Sequence, residues 1–149
     1  MYPILLGLHN ITRWLVLIVG ILAVVRAFMG WSGKRPWTGL DNSAGLFFTI
    51  SMDVQLLLGL LLYGVFSPIT TGAFADFGAA MSNPDARFWL VEHIFMMVLA
   101  VILAHVGRSL AKKAPTDVAK HKRAAIFFTL ALIVVLAGIP WFRPMLPTF

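Results

Sequence analysis

Four long apolar segments, separated by polar connections, dominate the pattern of the chain. They cover about residues 4–29, 44–66, 88–110 and 124–142. A transmembrane α-helix needs about 20 mostly apolar residues to cross roughly 30 Å of hydrocarbon, and each segment has about that length or more. The segments are continuously apolar and do not alternate with period two, which excludes the strands of a membrane β-barrel. The sequence therefore predicts an all-α membrane protein, in which residues 1–149 form a single four-transmembrane-helix bundle.

The composition agrees with this prediction and narrows the chemistry. Of the 149 residues, 60% are hydrophobic and 12% are charged, against about 45–50% and about 25% in soluble domains. Cysteine is absent from the sequence, which excludes disulfides, thiolate metal sites, iron–sulfur clusters and cysteine nucleophiles. The sequence contains no Ser–His–Asp, paired-carboxylate or zinc motif, so we expect neither a hydrolase nor a transferase.

Lysine and arginine are distributed unequally between the two ends of the predicted helices. At the end that holds both termini there are three: Arg13, Arg87 and Arg143. Around the connections at the other end there are nine: Arg26, Lys34, Arg35, Arg108, Lys112, Lys113, Lys120, Lys122 and Arg123. Because basic loops stay in the cytoplasm, we expect both termini on the non-cytoplasmic side of a bacterial cytoplasmic (inner) membrane. The same distribution explains the net charge of +6 without a nucleic-acid partner.

Two histidines occupy similar depths in the first and third predicted helices. At about 1.5 Å per residue, His9 lies roughly 10 Å inside the start of its helix and His93 roughly 7 Å inside the start of its own. Each heads a helical stripe of small residues, a surface on which helices or a flat cofactor pack closely. Arg13 lies one turn beyond His9, and Glu92 directly precedes His93.

Facing imidazoles at one depth in a helical bundle can bind the iron of a b-type haem from both sides. We therefore expect His9 and His93 to be haem ligands, with Arg13 neutralising a haem propionate or pairing with Glu92. Two alternatives stay open. In one, both histidines are hydrogen-bonded structural residues of a cofactor-free bundle. In the other, His93 and Arg13 donate hydrogen bonds to the carbonyl oxygens of a quinone.

Polar residues deeper in the second and third spans indicate further roles. Asp53 lies near mid-membrane, where a carboxyl group is usually hydrogen-bonded between helices or part of a proton relay. Gln55 lies on nearly the opposite face, so we expect this helix to be enclosed by neighbours, within the bundle or in a larger assembly. His105 lies roughly 18 Å along the axis from His93, which is too far to share an iron, and is a secondary candidate near the cytoplasmic interface. His121, in a run of basic residues, is expected to meet lipid headgroups.

Several short motifs are spread over most of the chain. They are Leu8-His9 with Arg13-Trp14, Gln55-Leu-Leu-Leu-Gly59 with Tyr63, Arg87-Phe-Trp89-Leu-Val-Glu92-His93 with Met96-Met97, and Ile139-Pro140-Trp141. In these motifs the chain resembles a group of small four-span bacterial membrane proteins that are described as cytochrome b-like. The resemblance implies electron-transfer chemistry in the membrane.

Together these features predict an integral membrane subunit of an electron-transfer system of respiratory type, which exchanges electrons with a quinone or a redox partner. The chain would be at most a redox subunit of a larger oxidoreductase. The alternative, from a different class, is a cofactor-free accessory subunit of a larger membrane complex. In both cases we expect the lipid bilayer and either other membrane subunits or further copies of the chain as partners.

The predicted orientation can be tested with single cysteines, because the chain has none of its own. In intact cells an impermeant thiol reagent should label Ser82→Cys, since the connection that contains it lies outside. The variants Ser32→Cys and Thr116→Cys should react only after the membrane is opened. If either of these two variants were labelled in sealed cells and Ser82→Cys were not, the predicted orientation would be wrong.

Overall fold

A computed structural model describes residues 1–145, which are almost entirely helical. The α-helices, in chain order, are α1 (Tyr2–Ser32), α2 (Gly39–Leu61), α3 (Pro68–Ala75), α4 (Phe77–Ser82), α5 (Pro84–Arg87), α6 (His93–Lys112) and α7 (Asp117–Gly138). Two π-helical turns, Leu62–Phe66 and Phe88–Glu92, continue α2 and lead into α6. Four helical spans are long and apolar enough to cross a membrane: Tyr2–Ser32, Gly39–Phe66, Pro84–Lys112 and Asp117–Gly138. The prediction of an all-α protein with four such helices is therefore confirmed for the described residues.

Local capping signals make two of the spans begin earlier than the apolar pattern predicts. At the start of α2, the backbone N–H of Thr38 donates to Oδ2 of Asp41 at 2.8 Å, as in a capping box. At the start of α7, the hydroxyl of Thr116 accepts a hydrogen bond from the backbone N–H of Ala119 at 3.2 Å. Each cap satisfies donors that the first helical turn leaves free. Hydropathy alone places both helix starts within the apolar residues, whereas the Pro115-Thr116-Asp117 motif predicts the polar first turn of α7.

The last span ends earlier than predicted, at Gly138 instead of residue 142. Ile139 precedes Pro140 and is extended (φ −70°, ψ 131°), because a residue before proline is disfavoured in the helical conformation. The chain then folds back over the end of the bundle. There the carbonyl of Met145 accepts a hydrogen bond from Nε1 of Trp14 at 3.1 Å.

The four spans form a ring in which each packs against the next. α1 contacts α2 and α7, and α6 contacts the same two helices. α1 and α6 are therefore diagonal to each other across the bundle. We call the end where α1 begins and α7 ends the terminal end, and the end that holds the connections 33–38 and 113–116 the connection end.

Small residues let the helices approach closely through the middle of the bundle. Fully buried alanines are found in α6 and α7, at Ala100, Ala104, Ala124, Ala125 and Ala131. In α1, Gly20 leaves room for Phe48, since a Cβ on Gly20 would lie 2.8 Å from that ring. Phe48 in turn packs edge to face against Phe128, with ring centroids 5.5 Å apart. Because lipid tails are as apolar as the helix surfaces, close packing of this kind stabilises a membrane bundle.

His121 is buried at the connection end, so the prediction that it meets lipid headgroups is wrong. Only 1% of its surface is exposed, and its ring centroid lies 4.8 Å from that of Trp37. Nε2 lies 3.5 Å from the carbonyl oxygen of Pro36. Gly30 of α1 makes this position possible, because a Cβ there would lie 2.1 Å from the imidazole. His121 thus ties α7 to α1 and to the connection between α1 and α2.

Gly30→Ala is expected to destabilise the protein, because its methyl group would overlap the His121 ring. Overpacking of a close contact costs about 1–3 kcal/mol, and we expect a loss of that size in the free energy of unfolding. Unfolding in mixed detergent micelles, followed by circular dichroism, measures it. Gly39→Ala is the matched control, since a Cβ on Gly39 meets nothing within 4 Å. Equal stability of the two variants would contradict the close contact.

Candidate functional site

A cavity of about 370 Å³ lies at the terminal end of the bundle, between α1, α2, α6 and the segment that follows α7. Its polar lining includes His9, Arg13, Gln55, Tyr63, His93 and Arg143. Leucine, isoleucine, valine, methionine and proline side chains form most of the remaining wall. A concave, mainly apolar space with a few convergent polar groups is typical of small-molecule sites. The cavity therefore brings together four residues that the sequence singles out: His9, Arg13, Gln55 and His93.

The two histidines lie next to each other on the wall of the cavity. Their ring centroids are 6.4 Å apart and the ring planes are inclined by 69°. Nδ1 of His93 lies 2.8 Å from the carbonyl oxygen of Gly138. A carbonyl can only accept, so Nδ1 carries the proton, and a neutral His93 keeps its lone pair on Nε2. This tautomer gives His93 a nitrogen that can bind a metal or accept a hydrogen bond.

Gly138 can approach His93 because it has no side chain. A Cβ at this position would lie 2.5 Å from Cε of Met97 and 3.1 Å from Cβ of Met96. The last residue of α7 therefore packs directly on α6, and its carbonyl orients the imidazole.

α2 positions His9 through its backbone and its ring. Nε2 of Gln55 donates to the His9 carbonyl at 3.0 Å, and the hydroxyl of Thr12 donates to Oε1 of Gln55. Gly59 faces the edge of the ring, where a Cβ would lie 3.3 Å from Cε1 of His9. The buried Nδ1 of His9 has no hydrogen-bond partner among residues 1–145.

Two π-helical turns shape the wall around the histidines. The turn Leu62–Phe66 and the turn Phe88–Glu92 are joined by a hydrogen bond of 2.8 Å from the hydroxyl of Tyr63 to the carbonyl of Leu90. A π-helical turn holds one residue more than an α-helical turn, and such turns are frequent at functional sites. The second turn ends directly before His93, so it sets the direction in which that side chain leaves the helix. Periodicity in the sequence did not predict either turn.

Arg13 is buried, with 6% of its surface exposed, and it faces the C-terminal segment. Its Nη2 donates to the carbonyl of Met145, which also accepts from Nε1 of Trp14. The guanidinium carbon lies 5.7 Å from the centre of the Trp14 ring. The buried Nε of Arg13 has no partner within residues 1–145.

The predicted direct pair of Arg13 with Glu92 does not form among the described residues. Oε1 of Glu92 instead accepts from Nε of Arg87 at 2.8 Å, in a pair that is nearly half exposed. Arg87 lies five residues earlier, at the end of α5, and the π-helical turn Phe88–Glu92 that follows brings the two side chains within reach. Glu92 does not line the cavity.

The C-terminal segment contributes site residues that the sequence did not single out. Arg143 lines the cavity, and its guanidinium carbon lies 5.8 Å from the centre of the Trp89 ring. Because residues 139–142 are apolar, the sequence pattern placed them in the last span and did not predict that the chain folds back over the bundle there. The available signal was Pro140, which ends a helix, followed closely by a charged residue.

Asp53 and His105 meet away from the cavity, which neither of them lines. Oδ1 of Asp53 lies 2.8 Å from Nε2 of His105. Asp53 thus makes the interhelical hydrogen bond that was one of its two expected roles. The sequence alone did not predict this contact, because the two residues belong to different helices and lie 52 positions apart.

Gln55→Leu should lower the free energy of unfolding, because it removes the donor to His9 and the acceptor of Thr12. Interhelical hydrogen bonds in membranes contribute about 0.6 kcal/mol on average and at most about 1.7 kcal/mol, so we expect a loss of about 1–2 kcal/mol. Thr12→Val removes one of the two contacts and should cost about half as much. In the double variant the losses should not add, since both act on one network. Full additivity in detergent unfolding would contradict that network.

Comparison of the chain with models of protein families, with curated proteins and with solved structures finds no match. The resemblance to cytochrome b-like proteins therefore stays a prediction. The function has to be argued from the geometry of the cavity at the terminal end.

Proposed function

We propose that this chain is an integral membrane subunit of an electron-transfer system of respiratory type, and that it holds a b-type haem between α1 and α6. The observation that carries the proposal is the pair of imidazoles, 6.4 Å apart between centroids, on the wall of one cavity. When bound, the haem would supply one-electron oxidation and reduction at its iron. The residues of the chain would bind it, orient it and balance its charge.

The two histidines are close enough together for both to hold one metal ion. A bond from a metal ion to an imidazole nitrogen is roughly 2.0–2.1 Å. The ring centroids of His9 and His93 are 6.4 Å apart, so the two residues would hold the iron together. Within residues 1–145 no group of three His, Asp or Glu side chains could hold a metal ion. A metal at the histidine pair would take its other ligands from a cofactor, as haem iron does.

The hydrogen bond from His93 to Gly138 favours haem ligation over quinone binding. Metal-ligating histidines usually donate their second ring N–H to a backbone carbonyl or a carboxylate, which fixes the ring and raises its basicity. His93 has this arrangement, with Nδ1 2.8 Å from the Gly138 carbonyl. A neutral His93 then has no second N–H to give to a quinone carbonyl. The buried, unpartnered Nδ1 of His9 also supports an additional group at the site.

Two cationic side chains at the cavity match the carboxylates of a haem. Arg13 and Arg143 both line it, and no Asp or Glu of the described residues does. Guanidinium groups bind carboxylates through short, charge-assisted hydrogen bonds. The unpartnered Nε of Arg13 keeps one N–H for such a contact. Arg13 and Arg143 would therefore hold the propionate groups.

The cluster of basic residues at the connection end favours a cytoplasmic location for that end. The cavity would then open near the non-cytoplasmic face of a bacterial inner membrane. Electrons would be exchanged there with a quinone from the bilayer or with a redox partner.

An optical spectrum of protein purified from haem-sufficient cells tests the proposal. The reduced protein should give the sharp bands of a low-spin b-type haem. His9→Ala and His93→Ala should each abolish or shift these bands, because each removes one of the two residues that would hold the iron. His105→Ala is the matched control, since its imidazole lies outside the cavity, and it should leave the bands unchanged.

Two results would overturn the proposal. One is a wild-type protein that is folded and carries no haem. The other is a spectrum that persists unchanged in both His9→Ala and His93→Ala. A folded protein without haem that binds a quinone analogue at the cavity would favour a quinone site. Binding of neither would favour an accessory structural subunit.

A further inference from the structure

The Asp53–His105 pair lies on the outer surface of the bundle, at the junction of α2 and α6. The side chains are 50% and 49% exposed, although they contact each other at 2.8 Å. Asp53 is near the middle of the span Gly39–Phe66, about 20 Å from either end at 1.5 Å per residue. Asp53 is therefore exposed at the depth of the hydrocarbon, and His105 meets it from a position about 10 Å from the connection end of α6.

The surface on the Asp53 side of the pair is apolar. Exposed apolar neighbours on the two helices are Ile50, Val54, Leu57, Ile102 and Val106. Toward the connection end, His105 borders a shallow polar pocket with Arg108, Ser109 and Lys112. Ionisable residues within membrane spans nearly always face a protein interior or a water-filled cavity, because lipid offers them no hydrogen bonds. A half-exposed carboxyl group at the depth of Asp53 therefore indicates that protein covers the apolar part of this surface.

The pair retains one donor and one acceptor. Nδ1 of His105 and Oδ2 of Asp53 make no hydrogen bond within residues 1–145. In a low-dielectric environment the pair is most stable without net charge. A pair without net charge has two protons. One lies in the hydrogen bond between Oδ1 of Asp53 and Nε2 of His105, on either atom, and the other is on Nδ1 of His105. Nδ1–H is therefore a free donor and Oδ2 a free acceptor.

We propose that this surface is the interface of a symmetric dimer, and that its partner is a second copy of the same chain. A two-fold axis along the membrane normal would bring His105 of one copy opposite Asp53 of the other, and the reverse. Each Nδ1–H would then donate to an Oδ2 across the interface, which closes a ring of four hydrogen bonds. Such self-complementarity is the property of an isologous interface. The axis also keeps both copies in the same orientation in the membrane.

Energy transfer between labelled copies in lipid vesicles, measured over a range of protein-to-lipid ratios, tests the interface. Wild-type protein should dimerise, and Asp53→Ala and His105→Ala should each raise the Kd of the dimer about tenfold by removing two contacts of about threefold each. An equal mixture of the two variants should form heterodimers about threefold more tightly than either variant alone. The heterodimer restores one contact, between the remaining Asp53 and the remaining His105. Circular dichroism checks that both variants are folded.

Crosslinking gives a second readout that leaves the pair intact. Ile102 lies one turn from His105, and Ile21 lies on α1, diagonally across the bundle. Both are 52% exposed, and both lie about 15–17 Å from the connection end of their helices. In the cysteine-free chain, a short bismaleimide should link Ile102→Cys into dimers and link Ile21→Cys only at the rate of random collision.

Three outcomes would overturn the proposal. The first is wild-type protein that stays monomeric at all ratios, which would point to a different membrane protein as the cover. The second is dimerisation that neither Asp53→Ala nor His105→Ala weakens. The third is a mixture of the two variants that dimerises no better than each alone, since the pair would then act only within one copy.

Discussion

The inability of hydrocarbon to form hydrogen bonds is the constraint on which this structure depends. Helices satisfy their own backbone groups, and all four spans are helical. Several hydroxyl groups within the spans are satisfied by carbonyls of their own helix. Ser51 and Thr49, for example, donate to carbonyls of their own helix at 2.8 Å and 2.9 Å. Since lipid also provides no hydrophobic driving force between helices, the contacts are made through glycine and alanine, where backbones approach closely.

Three of the six buried polar atoms without a partner in the described chain belong to residues of the cavity at the terminal end. They are Nδ1 of His9, Nε of Arg13 and Nε1 of Trp89, whereas the other three are on Arg108, His121 and Thr129, outside the cavity. The free donor and acceptor of the Asp53–His105 pair are exposed on the outer surface, where Asp53 lies at the centre of its span. Each arrangement is costly unless something outside the described chain completes it. The cavity has the shape and charge for a bound group, whereas the pair has the symmetry of a contact between copies.

The end of α7 links packing to the chemistry of the cavity. Pro140 stops the helix, so Gly138 is the residue whose carbonyl reaches His93 and the following segment returns to Arg13 and Trp14. A change that lengthened this helix would remove the hydrogen bond to His93 and the lining contributed by Arg143. The orientation of the histidine on α6 therefore depends on where a different helix ends.

Hydropathy by itself determined the number of spans, because about 20 continuous apolar residues have few other stable conformations in a membrane protein. It also determined that His9 and His93 share a depth, since rise per residue is fixed within a helix. Tertiary structure decided which side chains meet. Glu92 forms an ion pair with Arg87 because a π-helical turn lies between them. His121 is buried because Gly30 leaves room for its ring. Asp53 contacts His105, which lies on another helix. These contacts depend on how each helix is rotated about its axis and on which distant segments pack against it. The hydrophobic period and the composition of a single segment do not predict the rotation or the packing partner.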